Sequence, residues 1–246
     1  MLLKLLSYPR SFVMVLLYPF FTMICAIAMV LVNLIFQNRR WEDQIVYFWC
    51  RNTCWMFGVR VEVKGLENRP AGGFLYVFNH TSFFDIFAMN GWLGSFRFGA
   101  KIELFSIPFF GAAMRRAGIL PIARERREEV FKVYQAAEAR IRSGERFALS
   151  PEGTRHLKDS QLARFKAGPF VFAINAKAPM VPVIVKGAAA VLPKNRIVPN
   201  VGEWTRTITL EVLPPIHTED YSIEQRPLVQ EKVRQVMLPY FPESEV

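Results

Sequence analysis

The sequence predicts an α/β protein in which a mixed central sheet is flanked by helices and preceded by an N-terminal membrane-associated two-helix segment. Two observations support this fold class. Residues 12–36 contain no charged side chain, and from about residue 58 short β-rich runs alternate with amphipathic helical patterns. We therefore expect a membrane-anchoring segment at residues 1–57 and an α/β domain at residues 58–246.

The first two predicted helices are both suited to a membrane. Residues 12–36 exceed the roughly 20 residues that cross a hydrocarbon core as a helix, although Pro19 is expected to kink them. Residues 41–57 contain Trp41, Trp49 and Trp55 among interspersed charges, and such amphipathic rings suit the headgroup level. Two arrangements remain open, a spanning helix followed by an in-plane helix, or a hairpin that dips into one leaflet, which we favour slightly.

Composition narrows the range of partners. The formal charge of +10 predicts attraction to an anionic partner, and the 14% aromatic content with the apolar N-terminus favours a membrane surface over nucleic acid. Nucleic-acid-binding signatures are missing from the sequence, so we expect no nucleic-acid partner. The three cysteines (Cys25, Cys50 and Cys54) all fall in the apolar N-terminal region, which indicates small buried hydrophobic residues in a reducing compartment.

The remaining elements follow in order along the chain. Strands are expected at residues 59–63, 74–78, 147–150, 181–185 and 207–212, where β-branched and aromatic residues cluster. A helix is expected before Gly144, because apolar residues recur at helical spacing (Val130, Val133, Tyr134, Ala137 and Ile141).

The stretch NHTSFFD, residues 79–85, follows the second predicted strand and has two interpretations. Ser82 and Asp85 match a helix-capping box, which explains both residues but assigns nothing to His80. Alternatively, the strand delivers His80 to the carboxyl end of the sheet, and Asp85 orients the imidazole as a general base. On this motif alone, the structural interpretation is favoured over the catalytic one, because two common residue types at one spacing recur by chance.

A catalytic His80 and Asp85 would not require a nucleophile from the protein if the substrate supplies its own alcohol. The sequence has no G-x-S-x-G elbow, and its cysteines all lie in the N-terminal segment. Ser82 could act as a nucleophile beside His80, but a helix cap explains it more simply. Direct transfer to a substrate hydroxyl is therefore the simpler scheme.

Two later stretches, residues 101–124 and 150–155, complete an ordered set of motifs. Taken with NHTSFFD, they resemble the glycerolipid acyltransferase superfamily, and most closely the 1-acyl-sn-glycerol-3-phosphate acyltransferases, over roughly residues 58–215. The residues that carry the resemblance are Asn79, His80, Ser82 and Asp85; Lys101, Glu103, Leu104, Pro108, Gly111 and Arg124; Glu152 to Arg155; and Val181, Pro182 and Val183.

The resemblance implies roles for individual residues. It makes His80 the base and Asp85 its partner, and it assigns substrate binding to Lys101, Arg124, Glu152, Gly153, Thr154 and Arg155. A phosphate clamp of Lys101 and Arg155 is physically reasonable, because arginine offers a planar fork of donors and lysine a mobile charge. The alternatives are an Arg155–Glu152 ion pair and a solvated Lys101.

The function implied by the resemblance is transfer of a fatty acyl group from acyl-CoA or acyl carrier protein to the sn-2 hydroxyl of lysophosphatidic acid, giving phosphatidic acid. We expect a membrane enzyme on the cytoplasmic face, in contact with membrane phospholipid. No metal and no separate cofactor are expected, because metal-ligand and P-loop patterns are missing.

Acceptor identity stays open at this point. Ser150 and His156 flank the E-G-T-R motif where the family often has phenylalanine and serine. Another lysolipid, such as a lyso-ornithine lipid or a lysophospholipid, is therefore an alternative acceptor. A catalytically silent membrane lipid-binding protein is an alternative of another class, although it would need neither His80 nor Asp85.

Overall fold

The structure is a computed structural model that describes residues 2–123, 125–156 and 160–242. Its helices are α1 (Leu2–Phe36), α2 (Arg39–Met56), α3 (Phe84–Trp92), α4 (Phe110–Arg116), α5 (Arg127–Arg142), α6 (Gly168–Ala176), α7 (Ala188–Val191) and α8 (Arg226–Met237). Its strands are β1 (Val59–Lys64), β2 (Leu75–Phe78), β3 (Arg97–Lys101), β4 (Leu120–Ile122), β5 (Phe147–Leu149), β6 (Met180–Lys186) and β7 (Arg206–Val212).

The strands form a single mixed sheet in the order β1-β7-β6-β2-β5-β3-β4. Neighbouring strands run parallel except β6 and β7, which are antiparallel. Alternate residues of β2 enter different cores: Leu75 and Val77 pack with α5, α6 and α8, whereas Tyr76 and Phe78 pack with α3. The predicted α/β fold with a mixed, helix-flanked sheet is confirmed.

All five predicted strands are present as β1, β2, β5, β6 and β7, and the predicted helix is α5. Strands β3 and β4 were not predicted. β3 has the sequence RFGAK, with charged ends and a central glycine, and β4 is only the tripeptide LPI. Neither has a strand-like pattern, since glycine and proline are depleted from strands, and β4 tolerates Pro121 because it lies at the edge of the sheet.

The sheet topology brings the sequence motifs to one edge. Strands β2, β5 and β3 are adjacent and parallel, so their carboxyl ends meet at the same edge of the sheet. The NHTSFFD loop follows β2, the E-G-T-R loop follows β5, and Lys101 ends β3. Open α/β sheets bind their ligands at this edge.

The N-terminal helix α1 lies along the domain and contacts it near both ends. Near its start, the Ser7 hydroxyl accepts a hydrogen bond from Gly202 N at 3.0 Å. Towards its end, Ala26 and Met29 pack with residues of α4. Among the described helices, α1 alone is long and apolar enough to cross a membrane, by length and composition. It continues through Pro9 and Pro19.

Helix α2 is joined to the sheet by a cluster of ion pairs around Arg97 of β3. The Arg97 guanidinium contacts Asp43 of α2 at 2.7 Å and Glu145, just before β5, at 3.0 Å. Arg39 of α2 and Arg140 of α5 also contact Glu145. Only 5% of the Arg97 side chain is exposed, so these partners compensate a charge that would be costly to bury alone.

Candidate active site

His80 and Asp85 are brought together at the end of β2. The Nδ1 atom of His80 lies 2.8 Å from Oδ2 of Asp85, whose side chain is fully buried, while 13% of the His80 side chain is exposed. With Nδ1 donating to the carboxylate, the neutral ring presents Nε2 as a proton acceptor. The pair therefore has the geometry of an oriented general base with its partner.

The same carboxylate oxygen also organises the loop. Oδ2 of Asp85 accepts hydrogen bonds from the backbone N–H groups of Thr81 at 2.8 Å and Ser82 at 3.0 Å. In return, the Ser82 hydroxyl accepts from Phe84 N at 3.2 Å, at the start of α3. This arrangement is a variant of the capping box that the sequence predicts, since the Ser82 hydroxyl accepts from Phe84 N and the Asp85 N–H donates to the Ser82 carbonyl instead. One aspartate thus both closes the turn before α3 and contacts His80.

The hydroxyl of Ser82 is committed to structure. It donates to the backbone carbonyl of Leu192 at 2.9 Å, and the residue is fully buried. His80 instead directs Nδ1 to Asp85. These contacts favour the capping interpretation of Ser82 over its interpretation as a nucleophile.

Asn79 anchors the loop to the neighbouring strand. Its side-chain amide donates to the Val185 carbonyl at 2.8 Å and accepts from Val185 N at 2.8 Å. Asn79 is 1% exposed, so both bonds are protected from water. The amide thus continues the β2–β6 pairing one residue beyond the strand and fixes the backbone on which His80 stands.

Glu152 lies beneath the loop and contacts its backbone. Its carboxylate accepts from His80 N at 3.0 Å and from Ala163 N at 3.3 Å, and the residue is 3% exposed. Burial raises the pKa of Glu152 to about 7, against these two hydrogen bonds, which lower it. The sequence assigned Glu152 to substrate binding; in the structure its contacts link the E-G-T-R loop to the backbone of His80.

The rest of the E-G-T-R loop is half-buried beside His80. Gly153 has φ of +71°, and a Cβ there would meet the side chain of Lys166, so glycine suits this turn. Thr154 and Arg155 are partly exposed. The Arg155 guanidinium lies 4.0 Å from the ring centre of Phe83, and the next residue, His156, donates its backbone N–H to the His80 carbonyl at 2.8 Å.

The two other predicted cations differ in what can be said of them. Lys101 ends β3 at the same edge of the sheet, two strands from β2. Its ammonium pairs with Glu103 at 3.1 Å, and 58% of the side chain is exposed. It is therefore accessible to an anionic ligand. Arg124 lies outside the described residues.

His156 adds a titratable group that the sequence motifs did not single out as functional. Burial lowers the pKa of His156, and electrostatic interaction with Lys194 and with the His80 ring lowers it further. Lys194 belongs to the segment that follows α7, close to Leu192, whose carbonyl accepts from Ser82. A second lysine, Lys166, covers Gly153. The site edge is thus more basic than the motifs alone indicate.

A family model described as "Acyltransferase" matches residues 60–186, which include β1 to β6 and both loops of the site. The chain belongs to the acyltransferase family. It is similar to "1-acyl-sn-glycerol-3-phosphate acyltransferase" of Pseudomonas aeruginosa, with 31% identity over 185 residues, 71% of this chain and 68% of that protein.

Another relative of this acyltransferase-family chain is "1-acyl-sn-glycerol-3-phosphate acyltransferase BAT2, chloroplastic" of Brassica napus, 32% identical over 159 residues. That match covers 63% of this chain but only 45% of the plant protein, so the chain spans less than half of its length. The crystal structure of the LPA acyltransferase PlsC from Thermotoga maritima matches with a TM-score of 0.79 and 22% identity, over 98% of this chain and 95% of that one. This likeness supports the fold.

Sequence reasoning missed the contacts of the candidate site that join separate segments of the chain. The carbonyl of Leu192 lies 110 residues from Ser82, and Ala163 is 11 residues from Glu152. Phe83 lies inside the first motif, but the motif assigns it no role. Among the described residues, no cluster of three or more His, Cys, Asp or Glu side chains is placed to hold a metal ion.

Proposed function

We propose that this protein is a membrane-bound 1-acyl-sn-glycerol-3-phosphate acyltransferase. It moves a fatty acyl group from an acyl-CoA or acyl carrier protein thioester to the sn-2 hydroxyl of lysophosphatidic acid, giving phosphatidic acid. The observation that carries the proposal is the 2.8 Å contact between His80 and Asp85 at the carboxyl edge of the sheet, with Arg155 close by. The printed name of the Pseudomonas aeruginosa relative, of which this chain covers 68%, agrees with it.

The reaction needs one base and no protein nucleophile. Nε2 of His80 takes the proton of the sn-2 hydroxyl while the oxygen attacks the thioester carbonyl, and Asp85 stabilises the imidazolium that forms. Collapse of the tetrahedral intermediate breaks the carbon–sulfur bond, and the departing thiolate takes up the proton. Because a thiol has a pKa of about 8.5, the thiolate is an adequate leaving group.

Cations at the same edge would bind the acceptor phosphate. Arg155 offers a bidentate fork and Lys101 an exposed ammonium, and Arg124 is expected to assist them. Gly153 and Thr154 belong to the loop that carries Arg155. The Glu152 carboxylate joins that loop to the backbone N–H of His80. Holding phosphate and base in a fixed relation converts binding energy into positioning of the sn-2 hydroxyl.

The N-terminal helices, residues 1–57, would hold the α/β domain, residues 58–246, on the cytoplasmic face of the inner membrane. Many apolar side chains of α1 are exposed in the structure. The contacts near Ser7 and Met29 are separated by 22 residues, or about 33 Å of helix. A helix attached to the domain at both points cannot cross a bilayer of about 30 Å while the domain stays outside, which favours insertion into one leaflet.

The test is an acyl-transfer assay on purified protein in lipid vesicles. The acceptors are lysophosphatidic acid, a lyso-ornithine lipid and a neutral-headgroup lysophospholipid, each offered with acyl-CoA or acyl carrier protein thioester, and products are identified by mass spectrometry. His80→Ala should abolish transfer. His217→Ala, which removes an exposed histidine paired with Glu219, is the matched control and should keep it. If another lysolipid is acylated faster than lysophosphatidic acid, the proposed substrate is wrong. If the thioester stays intact with every acceptor, the proposed acyltransferase activity is wrong.

A further inference from the structure

The two phenylalanines of NHTSFFD point in different directions. Phe84 is 1% exposed and packs in the core against Phe57 and Phe87. Phe83 precedes it and is 50% exposed. A single exposed aromatic ring is common on protein surfaces, so exposure alone assigns nothing to Phe83. The observation that bears on function is that Arg155, a cation of the E-G-T-R motif, lies on this ring.

The guanidinium of Arg155 sits over the face of the Phe83 ring at 4.0 Å from its centre. The pairs Arg10–Trp204 and Arg51–Trp92 are looser, at 4.4 and 4.7 Å. The positive guanidinium is attracted to the negative face of the ring, and the ring covers one flat side of the guanidinium. The N–H groups point outward in the plane of the guanidinium, so stacking leaves them able to donate to a phosphate.

Both partners in this stack are tied to His80. Phe83 belongs to the turn that Asp85 closes through the backbone N–H of Ser82. Arg155 precedes His156, whose backbone N–H donates to the His80 carbonyl. Stacking restricts the rotamers of the long arginine side chain and so reduces the entropic cost of ordering it on a ligand. The ring therefore contributes to where the guanidinium lies relative to the base.

We propose that Phe83 is a positioning residue, a shelf that holds the Arg155 guanidinium with its donor edge towards the phosphate of the acceptor lipid. This inference rests on the proposed function and deepens it, because it explains how the site selects a lysolipid with an anionic phosphate. Phe83 acts through Arg155 and does not touch the reacting atoms. Its loss weakens acceptor binding and leaves the chemical step intact.

The variants separate the ring from its hydrophobic bulk. Phe83→Leu keeps an apolar side chain but removes the aromatic face, and Phe83→Trp restores a face that binds cations more strongly. Arg155→Gln removes the cation that stacks on the ring. Trp204→Leu is the matched control, because it removes the ring from the looser stack of Arg10, on a loop that contacts α1.

Two readouts are needed, one of them independent of turnover. The first is the kinetic constants for lysophosphatidic acid and for the thioester, with monoacylglycerol as an acceptor that lacks the phosphate. The second is equilibrium binding of radiolabelled lysophosphatidic acid to the protein in detergent micelles. Phe83→Leu should raise the acceptor KM and the dissociation constant about three- to tenfold, the range expected for a partly exposed cation–π contact.

We expect the Phe83 variants to change acceptor affinity but neither kcat nor the KM for the thioester. In Phe83→Leu the kcat and the thioester KM stay within a factor of two of wild type, the preference for lysophosphatidic acid over monoacylglycerol falls, and Phe83→Trp restores affinity. In an Arg155→Gln background the same change has little further effect, because no cation remains to stack on the ring. Trp204→Leu leaves acceptor affinity unchanged.

Other results would contradict the positioning role of Phe83. Unchanged lysophosphatidic acid affinity in Phe83→Leu, or an equal loss in the wild-type and Arg155→Gln backgrounds, would show that the ring acts elsewhere, for example against an acyl chain. If wild type binds lysophosphatidic acid but transfers nothing to it, the proposed function fails, and the binding data still decide the role of Phe83. If wild type does not bind this lipid at all, both proposals fall.

Discussion

Replacing Asp85 by asparagine tests the catalytic assignment without dismantling the loop. In the structure, Oδ2 of Asp85 accepts three hydrogen bonds, from His80 Nδ1 and from the backbone N–H groups of Thr81 and Ser82. The other oxygen, Oδ1, is buried and has no hydrogen-bond partner among the described residues. The amide oxygen of asparagine can take the place of Oδ2, and its NH₂ group then occupies the position of Oδ1.

The variant therefore keeps acceptors for all three donors and loses the charge. Hydrogen bonds to a charged group contribute about 1.5–3 kcal/mol and neutral ones about 1 kcal/mol, so weakening three of them should cost Asp85→Asn about 1.5–6 kcal/mol of stability, and we expect the variant to remain folded. Catalysis should suffer much more. Without the carboxylate the imidazolium is not stabilised, and kcat should fall by about 10²–10⁴-fold, the range for general-base catalysis.

Asp85→Ala is the informative contrast. It leaves the three donors without this acceptor in a fully buried place, at about 1–3 kcal/mol each. The sum approaches the whole stability of an ordinary domain, about 5–15 kcal/mol. Asp85→Ala should therefore lose both fold and activity.

The measurements are thioester-dependent acyl transfer and denaturant unfolding on the same preparations of both variants. An Asp85→Asn protein that unfolds cooperatively and keeps more than a tenth of wild-type kcat would refute the catalytic role and leave Asp85 as a helix cap. Equal unfolding free energies for the asparagine and alanine variants would refute the hydrogen-bond accounting.

Three further changes test other parts of the site. Because the pKa of Glu152 is raised to about 7 from 4.5, its contribution to stability is full below pH 4.5 and is lost as pH rises through 7. Between pH 4.5 and pH 8, the unfolding free energy of wild type should fall by about 3 kcal/mol more than that of Glu152→Gln, as measured by denaturant unfolding. Equal falls in the two proteins would contradict this. Gly153→Ala and Gly144→Ala both place alanine at positive φ and should each cost about 1–2 kcal/mol of stability. Only Gly153→Ala should raise the acceptor KM, since a Cβ at Gly144 meets no atom within 4 Å; equal KM values would be the contrary result. Asn79→Ala removes both partners of the Val185 backbone and should cost about 2–4 kcal/mol in unfolding free energy, and a smaller loss would mean that water replaces the amide.

Local patterns were sufficient to predict the five strands that are rich in β-branched and aromatic residues. β6, for example, is buried along nearly its whole length and is a nearly continuous apolar run, as expected of a strand in the middle of a sheet that is covered on both faces. β3 and β4 are different, because their pairing comes from neighbours. Gly99 of β3 lets the side chain of Ile122 approach closely, a packing relation between segments more than 20 residues apart that no local pattern records.

The site divides in the same way. The pairing of His80 with Asp85 could be predicted because five residues separate them and one turn closes the distance. Contacts from Glu152 to His80 and from Arg155 to Phe83 join segments about 72 residues apart. They exist because β5 lies beside β2 in the sheet. In the sequence, only the ordered series of motifs indicates that the segments after β2 and β5 lie close together, and it does not predict which atoms are in contact.

The structural and catalytic interpretations of NHTSFFD turn out to describe the same atoms. A cap needs a carboxylate in the first turn of α3 that reaches back to the N–H groups of Thr81 and Ser82. An oriented base needs the same carboxylate to contact the imidazole of His80, the residue before Thr81. Since capping already fixes where Oδ2 lies, a histidine at this position meets a prepared acceptor with little additional ordering cost. Folding of the helix start thus preorganises the proposed base, which is why loss of charge and loss of the cap must be separated by different substitutions at Asp85.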